Sequence, residues 1–295
     1  MIDLHMHTTY SDGSYTISEL LKEAQSKKIS TISITDHNTI SAYYELENNE
    51  IRSLYKGNII NGCELVTSYN GELIDVLAYN FNLQLMQKYL NGKYLTLEQK
   101  QLKEVDMIKE RYKEIGVKFD FNNIVFEPKK GLCHTAFLNE IKKYLQNNEF
   151  FLFEKSMLKP SDFTRNEVYN PKSPLYVNQS PLYPSLEKTI SAIHEVGGLA
   201  FLAHTFAYSE TIVSELENIV NNYKIDGLEC CHTIFTKDQT QYLLQFCNYH
   251  NLFKSGGSDF HGQNKINHNM GIGDGSLNIN EELIKEWYEK PQIIK

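Results

Sequence analysis

The chain has 295 residues, 41% hydrophobic and 22% charged, the balance of a globular protein long enough for one large domain or a domain with an insertion. Its 29 basic and 37 acidic residues leave a formal charge of −8, which argues against an extended nucleic-acid backbone as partner. A small phosphorylated substrate stays compatible with that charge, because bound cations can reverse the local field.

The first part of the chain alternates strand and helix signals. Residues 1–4 are a short apolar start that runs into His5-Met6-His7. Thr16-Ile17-Ser18-Glu19 has the form of a capping box, and Ile17, Leu20, Leu21 and Ala24 form the apolar stripe of the helix it opens. A β-branched run over 30–35 ends at Asp36-His37, and a short run over 58–61 ends near Glu64. After the Asn70-Gly71 turn, residues 73–79 read as a strand.

From 83 to 183 the composition shifts to Lys, Glu, Asn and Tyr, and the region reads as a mostly helical insertion that shapes the substrate pocket. Its strongest helix spans 97–115, with Leu102, Val105, Ile108, Tyr112 and Ile115 on one side and Gly116 as its stop. A second helix is predicted over 135–145, and Pro160, Pro171, Pro174, Pro181 and Pro184 mark an irregular return.

Alternation then resumes. A helix over 186–196 stops at Gly197-Gly198, and a strand over 199–203 delivers His204. A strand over 227–231 precedes a second capping-box sequence, Thr236 to Gln239, whose helix carries Tyr242, Leu243 and Phe246. A strand over 253–258 delivers Asp259 and His261, and a last helix is predicted over 281–289. Strands alternating with helices imply an α/β fold with a parallel sheet. A closed or distorted barrel, built from 1–82 and 184–295, gathers groups from many strand ends at one face more readily than an open doubly wound sheet.

The five cysteines, Cys63, Cys133, Cys230, Cys231 and Cys247, are odd in number and contain no CxxC pair, so neither a disulfide framework nor a cysteine zinc site is expected. Cys63, Cys230 and Cys231 lie in apolar runs and read as buried free thiols. The chain enters its first motif at once, leaving no room for a signal peptide, and no apolar stretch is long enough to span a membrane. A reducing cytoplasm and no membrane partner are the expectation.

The chemistry sits at the strand ends. His5-x-His7 on an extended segment points both imidazoles to one face, and Asp259-x-His261 repeats that spacing after a Gly-Gly-Ser turn. A polar pair such as Asp36-His37 closing a buried strand is costly unless satisfied. Glu64 offers two oxygens to separate ions, and His204 follows an apolar run. Asp12 lies in the plain turn sequence Ser-Asp-Gly-Ser. Imidazoles and carboxylates without thiolates point to hard or borderline divalent ions.

These stretches resemble the PHP (polymerase and histidinol phosphatase) domain family, and specifically its stand-alone phosphoesterase branch with a helical insertion. The motifs are Asp-Leu-His-Met-His-Thr-Thr-Tyr-Ser-Asp-Gly (3–13), Ile-Thr-Asp-His-Asn (34–38), Gly-Cys-Glu-Leu (62–65), Gly-Gly-Leu-Ala-Phe-Leu-Ala-His-Thr (197–205), Gly-Leu-Glu-Cys-Cys-His (227–232) and Gly-Gly-Ser-Asp-Phe-His-Gly (256–262). The resemblance implies a distorted (β/α)7 TIM-like barrel with two or three divalent ions, Mn, Zn or Fe, with Mg also compatible. Carried over, one ion is held by His5, His7, Glu64 and Asp259, a second by Glu64 and His204, and a third by Asp12, His37 and His261. The implied reaction is hydrolysis of a phosphate ester by a hydroxide that the ions generate.

Two positions depart from that pattern. Where the branch usually places a His on the next strand, the matching residue is Asp75, a hard-metal ligand that would move the preference from zinc toward manganese, iron or magnesium. Where relatives often carry Arg-Pro-His, this chain reads Leu132-Cys133-His134. His134 is then a candidate substrate contact or proton donor, and His232 a candidate substrate or supporting contact. His194, His250 and His268 read as structural. The main reading is a phosphoesterase acting on a small phosphorylated metabolite or nucleotide. The alternatives are a metal-dependent hydrolase of another bond and a non-catalytic scaffold module.

Overall fold

The computed structural model describes residues 1–288. The chain divides into two compact units: one of Met1–Thr67, Ile74–Gly92 and Pro184–Lys295, the other of Ser68–Leu73 and Lys93–Tyr183.

The sheet has seven strands in chain order: β1 (Ile2–Asp3), β2 (Thr31–Ile34), β3 (Asn58–Tyr69), β4 (Glu72–Tyr79), β5 (Leu199–Leu202), β6 (Gly227–His232) and β7 (Phe253–Gly257). β1–β2–β3 and β5–β6–β7 pair in parallel. β3 and β4 are joined through Asn70 and Gly71, whose φ values of 50° and 85° are what an Asn-Gly hairpin turn demands. That turn sends β4 back, so β4 pairs antiparallel with β5, from Val76↔Leu202 to Tyr79↔Leu199. The sheet is therefore mixed, where strand–helix alternation predicted it all parallel. It closes toward a barrel where Leu4 N–H donates to the Gly256 carbonyl at 3.2 Å and His7 N–H to that of Phe260 at 2.8 Å. Gly257 permits this closure, since a Cβ there would lie 2.4 Å from the His5 nitrogen.

Helices form where caps and periodicity predict them. Thr16, Thr96 and Thr236 each make a full capping box, opening Ile17–Ser26, Leu97–Ile115 and Lys237–His250. The predicted stripe Ile17, Leu20, Leu21 and Ala24 is buried. The core includes Ile2, Leu4, Ile60, Leu77, Phe201 and Trp287. The Trp287 ring stacks on Tyr79, and its indole N–H donates to the Lys254 carbonyl at the start of β7. Among the described residues, no helix is long and apolar enough to cross a membrane.

Three local expectations differ from the structure. β3 runs twelve residues rather than four, so Glu64 lies within the strand; β-branched content ends early, but the hairpin with β4 extends the pairing. The predicted last helix is only a 3-10 turn at Glu281–Leu283, and the end of that prediction, Glu289, lies outside the described residues. In the second unit the long helix runs Leu97–Ile115 and stops at Gly116 with φ 83°, yet Leu102 is 50% exposed while Gln101 and Glu104 are buried. Val105, Ile108 and Tyr112 keep the predicted inward face, with Gln101 and Glu104 on it in place of Leu102. The next helix is Cys133–Ile141, and Leu145, predicted inside it, is exposed. This unit's own core contains Val105, Ile108, Tyr112, Phe137, Ile141 and Phe163.

Candidate metal centre

The barrel's strand ends bring nine side chains into one linked cluster. His5 and His7 follow β1 and are fully buried. His37 follows β2 and bridges to Glu64 of β3, while Asp75 lies on β4, His204 follows β5, and Asp259 and His261 follow β7. Asp12 sits in a loop fixed by Asp36, which accepts from Thr8 N–H at 2.7 Å, Thr8 Oγ1 at 2.6 Å and Ser11 Oγ at 2.6 Å. Asp3 ties β1 to β7 by accepting from Ser258 N–H, Ser258 Oγ and Gly271 N–H.

The turns that aim these groups are strained. Asn38, His204 and Asp259 have φ of 54°, 22° and 54°. Such backbone persists only where surrounding bonds hold it, and it clusters at functional sites. Here Asn38 N–H donates to the Glu64 carbonyl at 2.8 Å, and His204 N–H donates to Glu229 Oε2 at 2.8 Å.

Glu64 is the hub. Its Oε1 lies 2.9 Å from His204 Nε2, and its Oε2 lies 3.2 Å from His5 Nε2, 3.2 Å from His7 Nε2 and 3.3 Å from His37 Nδ1. Asp259 Oδ1 lies 3.5, 3.4 and 3.4 Å from His5 Nε2, His7 Nε2 and His261 Nδ1. Asp12 Oδ1 is 3.1 Å from His261 Nε2, and its Oδ2 is 3.8 Å from His37 Nε2. Asp75 Oδ2 is 3.8 Å from His204 Nε2. Donor atoms gather within 4.8 Å of one another in the sets His7–Asp12–His37–His261, His5–His7–Glu64, His5–His232–Asp259 and His37–Glu64–Asp75.

Hydrogen bonding does not satisfy this cluster. His7 Nε2, His37 Nδ1, His204 Nδ1, His232 Nε2 and His261 Nε2 are buried without a hydrogen-bond partner. Several approach carboxylate oxygens closely but without the geometry of a bond. Orphaned buried nitrogens are costly, and coordinated cations relieve that cost. The donors are all nitrogen and oxygen, which suits divalent ions of hard or borderline character.

Outer partners set the imidazole tautomers. His5 Nδ1 lies 2.8 Å from Glu229 Oε1, which holds a proton there and leaves Nε2, bonded to Glu64 Oε2 at 3.2 Å, as the nitrogen that a bound ion would take when the ring is neutral. His261 does the same, with Nδ1 2.8 Å from the Asp259 carbonyl. His232 is reversed: its Nδ1 accepts from Ile234 N–H at 3.2 Å, so the neutral ring bears its proton on Nε2, the atom 3.5 Å from Asp259 Oδ2. His232 is thereby a donor facing the centre.

Protonation follows the same geometry. Burial opposes a charge on His5, yet Glu229, Glu64 and Asp259 outweigh it and hold the imidazole well above its ordinary value. His7 is pushed up to about 9, since Asp259 and Glu64 overcome its burial. Burial drives His37 down to about 4. Glu64 is held well below the usual carboxylate range despite its burial, by His5, His37 and His204. Burial and then Glu64 push Asp75 up to about 7.

Sequence reasoning missed Glu229, which is fully buried and braces both His5 and His204. Its signal was an acid inside an apolar strand. It also set His268 among the structural histidines, whereas the ring lies 5.9 Å from that of His232 and its Nδ1 lies 3.6 Å from Asp259 Oδ2. Lys265, unremarked in the sequence, pairs with Asp259 Oδ2 at 2.7 Å. His194 and His250 pair with Asp226 and Glu217. All five cysteines are free, four buried and Cys231 half-buried.

His134 belongs to the second unit. Its Nδ1 lies 3.1 Å from Thr164 Oγ1, its ring meets the Tyr169 ring edge-on, and its Nε2 is 3.8 Å from Glu104 Oε2. With Glu104 and Cys133 it forms a further set of close donor atoms.

A barrel whose strand ends converge on unpaired imidazole nitrogens around shared carboxylates is the architecture of a metal-binding α/β barrel. The chain belongs to the PHP domain family, whose model matches residues 3–152. It is 28% identical over 273 residues to a 5'-3' exoribonuclease of Haemophilus influenzae, covering 88% of this chain and 89% of that protein. It is 22% identical over 264 residues to a 3',5'-nucleoside bisphosphate phosphatase of Chromobacterium violaceum, covering 88% and 87%. In fold it resembles a metal-dependent phosphoesterase structure from Bifidobacterium adolescentis, with a TM-score of 0.63 at 21% identity, covering 97% of this chain and 95% of that one.

Proposed function

We propose that the protein is a metal-dependent phosphoesterase that hydrolyses a nucleotide or another small phosphorylated metabolite. The observation that carries this reading is the convergence of the unpaired, buried nitrogens His7 Nε2, His37 Nδ1 and His232 Nε2 on Glu64 and Asp259. In this reading His5, His7, Glu64 and Asp259 hold one divalent ion. Glu64, His204 and Asp75 hold a second, and Asp12, His37 and His261 a third. When bound, such ions lower the pKa of a water to give a nucleophile near neutral pH and polarise the phosphoryl oxygens. The chain's own groups do the rest: Glu229 fixes His5, Asp36 fixes the Asp12 loop, and His232 presents an N–H toward the substrate side.

The names of the two relatives, an exoribonuclease and a nucleoside bisphosphate phosphatase, favour a nucleotidic phosphate over a sugar phosphate. The charge of −8 therefore does not carry the exclusion of RNA forward: a centre that takes a terminal nucleotide contacts few phosphates. The test is metal analysis of protein purified without chelator, with hydrolysis of phosphomonoesters, a nucleoside 3',5'-bisphosphate and a short 5'-phosphorylated RNA in Mn, Zn, Fe and Mg. Bound metal with release of phosphate or nucleotide is expected. Full metal occupancy with no turnover of any of them would overturn the reading and favour hydrolysis of another bond. Failure to hold metal would favour a scaffold module.

A further inference from the structure

In the reading above, further positive charge or N–H donors beside the metal ions would strengthen the hold on a phosphoryl group. Arg52, in the barrel unit, directs its guanidinium to the Tyr55 and Gly57 carbonyls ahead of β3. Another cation stands at the centre itself. Lys265 Nζ lies 2.7 Å from Asp259 Oδ2, and the lysine side chain is 41% exposed while Asp259 is buried. His232 Nε2, 2% exposed, is aimed at the same oxygen from 3.5 Å and has no hydrogen-bond partner. An ammonium and a buried N–H therefore face one carboxylate oxygen, and only the ammonium is bonded to it.

The loop that carries Lys265 is fixed to the ligand loop on the other side of the site. Asn264 Nδ2 donates to the Asp12 carbonyl at 2.8 Å, and Gln263 N–H donates to Ser14 Oγ at 2.7 Å. One side-chain bond and one backbone bond place the loop, while the part-exposed Lys265 side chain reaches Asp259. Charge balance favours an anion there. An ammonium beside divalent cations is repelled unless negative charge lies between them. Asp259 supplies that charge, but a carboxylate that also holds a metal ion shares it, which weakens its hold on the lysine.

We propose that Lys265 and the Nε2–H of His232 form an anion subsite that receives the non-bridging oxygens of the substrate's phosphoryl group. The lysine supplies the positive charge of this subsite. The proposal rests on the phosphoesterase reading above and goes further by naming what holds the phosphate.

The probe is inorganic phosphate, titrated into the metal-loaded protein by calorimetry, with metal content measured on each sample. Lys265→Gln is expected to weaken phosphate binding about tenfold or more, as for loss of a charge-assisted hydrogen bond, at unchanged metal content. It should raise KM for the best phosphate ester more than it lowers kcat, and Lys265→Arg should recover most of the loss. His232→Ala should weaken phosphate binding in the same direction. Wild-type phosphate affinity in Lys265→Gln, with wild-type turnover intact, overturns this inference alone. Lost metal in Lys265→Gln, with phosphate affinity restored by excess metal, also overturns it and makes Lys265 a prop for Asp259. A wild-type protein that holds metal but neither binds phosphate nor cleaves any ester removes the phosphoesterase reading along with it.

Discussion

The two units each contain a buried cluster of histidine and acid, and the difference between them lies in hydrogen bonding rather than in residue type. In the second unit Glu104 is fully buried, with Oε1 accepting from Tyr169 OH at 3.0 Å and Oε2 from Gln101 Nε2 at 2.7 Å. Lys100 approaches within 3.7 Å, and His134 leaves only Nε2 unpartnered. The carboxylate is already satisfied by neutral donors and a nearby cation. In the barrel, by contrast, four imidazole nitrogens, His7 Nε2, His37 Nδ1, His232 Nε2 and His261 Nε2, lie within 3.5 Å of carboxylate oxygens without a bond. A His–Glu–Cys set is thus not a metal site by composition, and the barrel cluster differs from it in how many donors are left unsatisfied. The same contrast bears on His134, whose surroundings read as a closed polar network joining the helices Leu97–Ile115 and Cys133–Ile141.

The largest way to break this contrast is Glu64→Ala. Four imidazoles lie within 3.3 Å of its two oxygens, so its loss should empty more than one ion position. Bound metal and turnover should fall together, turnover by roughly a thousandfold or more if the ions generate the nucleophile. Full metal content with wild-type rates would end the assignment. Glu229→Gln comes next. It keeps the shape but removes the carboxylate that fixes His5, and loss of such an outer partner commonly costs about 10- to 100-fold in metal affinity or activity. A metal titration that matches wild type would show that His5 is oriented by packing alone.

Asp75→His sharpens the contrast by exchanging one ligand type. Asp75 faces His204 at 3.8 Å and groups with His37 and Glu64, so an imidazole there should retain metal and shift preference toward zinc by several-fold. An unchanged metal profile would place residue 75 outside the coordination shell. The matching test in the second unit is Glu104→Ala. Removing the acceptor shared by Tyr169 and Gln101 should cost about 1–3 kcal/mol of stability in denaturant melts while metal content stays at the wild-type level. Loss of metal in that variant would mean that the second cluster is a metal site after all.

Much of the centre was legible because its residues follow apolar runs. His5, His7, His37, His204, Asp259 and His261 stand where a hydrophobic stretch stops, and a polar residue there must be satisfied by something. Strand direction was not legible in the same way. The period of side chains is identical in parallel and antiparallel strands; the Asn70-Gly71 turn does signal that β4 reverses, but strand–helix alternation along the rest of the chain pointed to a parallel sheet. Glu229 was hidden for the opposite reason from His5: it lies inside the run Gly227–His232, where one acid among apolar residues looks like an ordinary outward-facing position. Lys265 and His268 come from an irregular segment after β7, and only the folded loop brings them to Asp259. The stripe of the long second-unit helix was misread at Leu102 because two polar residues, Gln101 and Glu104, are turned inward by the network around Cys133.

The smallest effect concerns the metal-free protein and acts through protons. His7 has a folded pKa of about 9 against an ordinary 6.5, because Asp259 and Glu64 overcome its burial. A histidine whose pKa is raised by folding contributes stability that is complete below about pH 6.5 and is lost as pH rises through about 9. His5, also held well above its ordinary value, adds in the same direction. His37 is shifted down to about 4, so its effect is finished by pH 6.5 and leaves this window untouched. Asp75, raised to about 7 by burial and Glu64, costs stability as pH rises toward that value and the loss then stays in place, so it adds to the fall only below about pH 7. Thermal melts in chelator should therefore fall from pH 6.5 to about 9. Metal ions compete for the same nitrogens, so their stabilisation should grow with pH and flatten or reverse the fall. Melts in chelator that stay level across the window would mean that the cluster does not hold protons in place of metal. A fall of equal size with metal present would mean that the ions do not replace those protons at His5 and His7.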